Sequence, residues 1–190
     1  MTASKRRLLH SVSRLAIGIG ALALSPIPAS AEEWLGTVSN DWYDPANWTG
    51  GVPAGALDVL IDRTLPTTTV ISGGVIDLSG VGIAISTTDT GELTITGGAS
   101  LAAGQSTITA EPQSIGTVTV TGGGSTWSTD QLVVGFEGQA NLRIEDGGIV
   151  TSNITTIARN GGAGVVTVDG AGSRWDITDA DANFGLLGHA

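Results

Sequence analysis

Few side chains in this sequence are placed to do chemistry. The carboxylates Glu145, Asp146, Asp169 and Asp176 are numerous enough for glycoside hydrolysis, which needs two facing carboxylates at a set separation. Asp146 and Asp169 each fall at a strand-end turn, where aspartate commonly serves local hydrogen bonding. A polysaccharide lyase would want a basic residue beside bound calcium. Past the N-terminal segment the chain keeps Arg63, Arg143, Arg159 and Arg174 and no lysine. Arg143, Arg159 and Arg174 stand at unrelated positions of the repeat described below. A nucleophile activated by histidine lacks its base, because His10 lies in the leader-like start and His189 is the penultimate residue. Without cysteine, and with those two histidines alone, a zinc site has too few ligands. Asn160-Gly161-Gly162-Ala163-Gly164-Val165 lacks the carboxylate of a calcium-binding turn, and carboxylates do not recur in step along the chain. The expectation is a non-enzymatic chain with no cofactor and no metal.

Aromatic residues could instead bind carbohydrate. Trp34, Trp42 and Trp48 are three of the five tryptophans, and Asn, Asp, Pro and Gly surround them as turn formers. One reading makes them an N-terminal cap, since a stack of coils exposes an apolar end that large rings cover well. The alternative is a tryptophan-lined carbohydrate groove. Buried rings mean a cap; exposed coplanar rings mean a groove. Asn47-Trp48-Thr49 and Asn153-Ile154-Thr155 also match the glycosylation pattern, which we take as coincidence behind a bacterial-looking leader.

The elements that would position these groups are repeats. Val118-Thr119-Val120-Thr121-Gly122-Gly123-Gly124-Ser125-Thr126-Trp127 returns as Val166-Thr167-Val168-Asp169-Gly170-Ala171-Gly172-Ser173-Arg174-Trp175, at an offset of 48 residues (166 − 118). Leu142-Arg143-Ile144-Glu145-Asp146-Gly147-Gly148 lies midway, and Leu93-Thr94-Ile95-Thr96-Gly97-Gly98 precedes them. Thr69-Val70-Ile71-Ser72-Gly73-Gly74 aligns one step earlier, so the pattern is expected to start near residue 69. A regular period of about 24 residues predicts stacked coils. Each coil reads as an alternating strand ending in Gly-Gly, a second apolar patch such as Leu132-Val133-Val134-Gly135, and a turn. Glycine suits the corners. No apolar period of 3.6 residues appears past the leader, so the fold class is all-β, a parallel β-helix. Five rungs would give a rod of roughly 20–25 Å. Trp127 and Trp175, two rungs apart, should share one face, each packed over a glycine corner.

The ends carry their own signals. Lys5, Arg6 and Arg7, the apolar run from Leu15 to Leu24, and Ala29-Ser30-Ala31 have the layout of a secretory signal peptide, with cleavage between Ala31 and Glu32. The run is too short to span a bilayer comfortably. After cleavage four arginines face 18 acids, a net charge of −14 (4 − 18), which repels nucleic acid and anionic lipid headgroups. The organisation is therefore a signal peptide over 1–31, a Trp-rich cap over 32–62, and β-helix repeats over 63–190.

Three stretches resemble a known family. Trp42…Asn47-Trp48-Thr49-Gly50-Gly51-Val52-Pro53…Asp58-Val59-Leu60-Ile61 is similar to the start of many passenger regions of bacterial autotransporters, the type V secreted proteins. The repeated Val-Thr-Val-x-Gly-x-Gly-Ser-x-Trp and the intervening Leu142–Gly148 segment match as well. The resemblance implies a right-handed parallel β-helix on a Gram-negative cell surface, often serving adhesion or aggregation. Its partners would be a host surface, extracellular matrix or another copy of itself. The family's translocator barrel has no counterpart in these residues, and Gly188-His189-Ala190 falls where a new coil would develop. The reading is a truncated passenger: cell-surface, outer-membrane or extracellular within a full autotransporter, and periplasmic if this is the whole product. An open C-terminal coil would favour strand-edge association.

Overall fold

A computed structural model describes residues 31–62, 68–179 and 182–186. The signal segment ahead of Ala31, together with Arg63 and His189, lies outside the described residues.

The alternating segments form strands. In chain order these are β1 (Glu32–Glu33), β2 (Val59–Ile61), β3 (Thr69–Ser72), β4 (Val75–Ile85), β5 (Thr90–Thr96), β6 (Ser100–Ile108) and β7 (Ile115–Thr121). They continue as β8 (Thr126–Val134), β9 (Gln139–Glu145), β10 (Ile149–Arg159), β11 (Ala163–Asp169), β12 (Arg174–Ile177) and β13 (Ala182–Leu186). One three-residue 3-10 turn, Pro45–Asn47, is the helical element among the described residues. Two parallel sheets result. One runs β1-β2-β4-β6-β8-β10-β12, with β13 also pairing β10; the other runs β11-β9-β7-β5-β3. Consecutive coils stack about 24 residues apart, giving a β-solenoid of about six turns.

The register shows why the repeat works. Leu93 pairs with Val118, Val118 with Leu142 and Leu142 with Val166, so the residues opening each copy are direct neighbours in the stack. Leu93, Ile95, Val118, Val120, Leu142 and Ile144 point inward and are essentially fully buried. Each such side chain contributes about 1.5–3 kcal/mol of apolar burial. The residues between them, Thr94, Thr119, Arg143 and Thr167, form one outward row. β-Branched residues suit both sides of such a strand.

Val59–Ile61 is the strand its sequence suggests: β2 pairs with β4 and β1 pairs with β2, so strands of the stack also occur within residues 32–62. Trp127 and Trp175 share one face, two coils apart, as expected; they stand in the column Leu101–Trp127–Val150–Trp175. An indole fills more of the lumen than a valine.

The corners use two chemistries. At the Gly-Gly corners φ is positive, as at Gly97 (64°) and Gly98 (77°), where a Cβ would be strained. The motif serine ties one corner to an earlier coil: Ser125 Oγ accepts from the Gly98 amide at 3.1 Å, and Ser173 Oγ from the Gly147 amide at 2.9 Å. The second corner column is Ser86, Thr109, Gly135 and Ala158, with φ of 64°, 66°, 81° and 56°. Three of these four carry a Cβ, so the stack itself holds them in a left-handed conformation that their residue types disfavour.

Candidate functional site

The three N-terminal tryptophans come together. Trp34 packs edge-on to Trp48 with ring centroids 5.0 Å apart, and Trp42 does the same at 4.6 Å. Their exposures are 2%, 0% and 3% for Trp34, Trp42 and Trp48, so none offers a ring face to solvent. The sequence folds this way because Asn47 is a buried hub. Its Oδ1 accepts from the Val38 and Ser39 amides, and its Nδ2 donates to Ser39 Oγ and to the Asp41 carbonyl. All four hydrogen-bonding positions of that amide are satisfied, as a buried polar group requires. Asp44 caps the short turn by accepting from the Ala46 amide at 3.0 Å. Trp48 Nε1 donates to the Trp42 carbonyl at 2.8 Å, which locks the two rings together. The isolated antiparallel bridge between Trp34 and Trp48 joins this cluster to β1.

A second constellation was not singled out in the sequence. Asp62 directly follows β2, and its carboxylate accepts from the amides of Thr87, Thr88 and Asp89 and from both threonine hydroxyls. Burial alone would raise its pKa. The hydrogen bonds from Thr87, Thr88 and Asp89 outweigh that and hold it below the ordinary 3.8. The signal in the sequence is an Asp followed one coil later by Thr-Thr-Asp. Its chemistry is structural, a brace between successive corners.

The carboxylates considered for catalysis fall on outward faces. Asp169 pairs in register with Glu145, so these two stand side by side on adjacent coils. Arg143 lies 3.7 Å from Glu145, and Arg174 Nε lies 2.8 Å from Asp176. Both ion pairs are largely exposed, where such pairs contribute about 0–1 kcal/mol. Asp146 occupies a left-handed corner with φ of 50°, and its amide donates to the Asp169 carbonyl. That arrangement is a turn, consistent with the local role expected of it. Among the described residues no group of three or more His, Cys, Asp or Glu side chains could hold a metal ion. No helix among them is long and apolar enough to cross a membrane.

These features define the class: a parallel β-solenoid with a buried aromatic cluster beside its first described strands. No family model matches the chain, and neither a curated protein nor a solved structure matches it.

Proposed function

We propose that the chain is a non-catalytic passenger-type segment of an exported bacterial surface protein, serving adhesion or aggregation. Export is supported by the basic start, the apolar run from Leu15 to Leu24 and the Ala29-Ser30-Ala31 triplet. Among the described residues the first strand opens at Glu32, the residue after that triplet; its amide donates to the Asp58 carbonyl at 2.9 Å and its carboxylate accepts from Gly50 at 2.8 Å. A cut after Ala31 leaves every described strand and the whole tryptophan cluster intact. Two features support display rather than catalysis. The coil interiors are filled by side chains, and the outward rows carry short hydroxyls and acids such as Thr94, Thr119 and Asp169. A stiff acidic rod of this kind presents length and surface.

The alternative reading, a stacking platform made by Trp34, Trp42 and Trp48, needs exposed ring faces, and those rings are buried within the cap. The lyase or hydrolase reading needs two carboxylates across a cleft, and Glu145 and Asp169 share an open sheet face.

Two measurements test the proposal. Expression in a Gram-negative host followed by N-terminal sequencing should give a product starting at Glu32; an uncleaved product retained in the cytoplasm overturns export. Fluorescent beads coated with the exported chain should adhere to cultured epithelial cells, to immobilised matrix or to each other. Beads that do none of these overturn the adhesive role.

A further inference from the structure

One coil breaks the repeat, and the break makes a groove. Between β4 and β6 the register shifts from Leu78↔Ala103 to Gly82↔Gln105, so residues 79–81 stand opposite Gly104 alone. The extra residues bulge outward beside the strand. Glycine is required below them, because a Cβ on Gly104 would come within 2.9 Å of the Ser79 carbonyl oxygen and 3.1 Å of that of Val81. A groove of about 290 Å³ lies along this bulge, between Asp58 on one side and Gln105 and Thr107 on the other. Bulges are rare in parallel sheets, and where they occur they re-aim side chains and interrupt pairing.

Part of the polar lining of this groove is uncommitted. Asp58 Oδ1 accepts from the Gly82 amide at 2.7 Å, which fixes the carboxylate and leaves Oδ2 unpaired among the described residues. Gln105 is exposed, and its amide is unpaired there too. Thr107 is the telling residue. It is 8% exposed and lines the groove, and its hydroxyl, which makes no hydrogen bond to another described residue, is open to a partner in the groove. One acceptor, one amide and one hydroxyl therefore converge beside the small apolar surface of Val81 and Ala84.

We propose that this groove binds a single neutral sugar ring. Adjacent hydroxyls on a pyranose both donate and accept, matching a carboxylate, an amide and a threonine hydroxyl. The C–H face of the ring suits Val81 and Ala84. The volume holds one ring and not an extended chain. No cation lines the groove and Asp58 does, so anions are disfavoured. The site is independent of the tryptophan cluster and of whether the chain is displayed on a cell.

Saturation-transfer NMR on the full chain tests it, with D-glucose, D-galactose and D-mannose as probes and D-glucuronate as the anionic control. At least one neutral hexose should bind, in the millimolar range expected of a shallow site. Thr107→Val and Gln105→Ala should each weaken it by about tenfold, the loss of one hydrogen bond. Arg143→Ala, on another face, should leave it unchanged. Gln105 is exposed, so its substitution reads binding even if Thr107→Val impairs folding. Absence of transfer from every neutral hexose overturns the proposal, as does binding that survives Gln105→Ala undiminished or that favours glucuronate.

Discussion

The two ends of the described stack treat the same kind of residue in opposite ways. At the N-terminal end three tryptophans are sealed, each no more than 3% exposed. At the other end Val168 continues the column of Ile95, Val120 and Ile144 but is 47% exposed, and Phe184, in register with Ile157, is 64% exposed. Trp127 and Trp175 make the same contrast within one column: the first is fully buried and the second is half-buried. A solenoid residue is buried by the coil that follows it, not by its own. Stability in such a stack is a sum of coil and interface terms.

Substitutions in the two regions should therefore differ in size. Trp48→Ala removes a buried ring, its contacts with Trp34 and Trp42, and the bond to the Trp42 carbonyl. It should cost about 3–5 kcal/mol in urea unfolding, with Trp175→Ala costing less than half as much. Equal costs would sink the contrast between the ends. Within one column, Ile144→Ala should cost about 2–4 kcal/mol and Val168→Ala below about 1 kcal/mol. A Val168→Ala loss matching that of Ile144→Ala would show that something covers β11.

The Asp62 brace belongs to the capped region and predicts a pH response there. Its folded pKa lies below 3.8, so its contribution is complete above that value and is lost as pH falls through the lower folded-state value. Asp62→Asn should cost about 1–3 kcal/mol at pH 7. The gap between the two proteins should close as the pH is lowered below 3.8. Unfolding midpoints measured from neutral to acid pH check this, and a gap that stays constant removes the brace as its origin.

The smallest effect sharpens the Trp127–Trp175 pair. Trp175 Nε1 donates to Ser152 Oγ at 3.0 Å, whereas Trp127 Nε1 is buried with no partner. Val150 is in register with Trp175 and Leu101 with Trp127, so Ala103 stands to Trp127 as Ser152 stands to Trp175. Ala103→Ser should supply the missing acceptor and raise stability by about 0.5–1.5 kcal/mol. A loss of stability, with the indole N–H still unbonded by NMR, would refute the equivalence of the two sites.

The sequence alone determined the parallel coil, its period and which residues turn inward. Those follow from alternation and from glycine, both local properties of the chain. Starts at 93, 118, 142 and 166 became direct neighbours in the stack. The tryptophan cluster was legible as turn formers around aromatics, though not Asn47 as its hub. Tertiary structure alone decided three further things. It placed Trp127 in the lumen, because register rather than motif selects a side chain's neighbours. It held Ser86, Thr109 and Ala158 at positive φ, because the coils on either side fix the corner against each residue's own preference. And it set Asp58, Gln105 and Thr107 around one groove, because residues a full coil apart in sequence meet only once the coils are stacked.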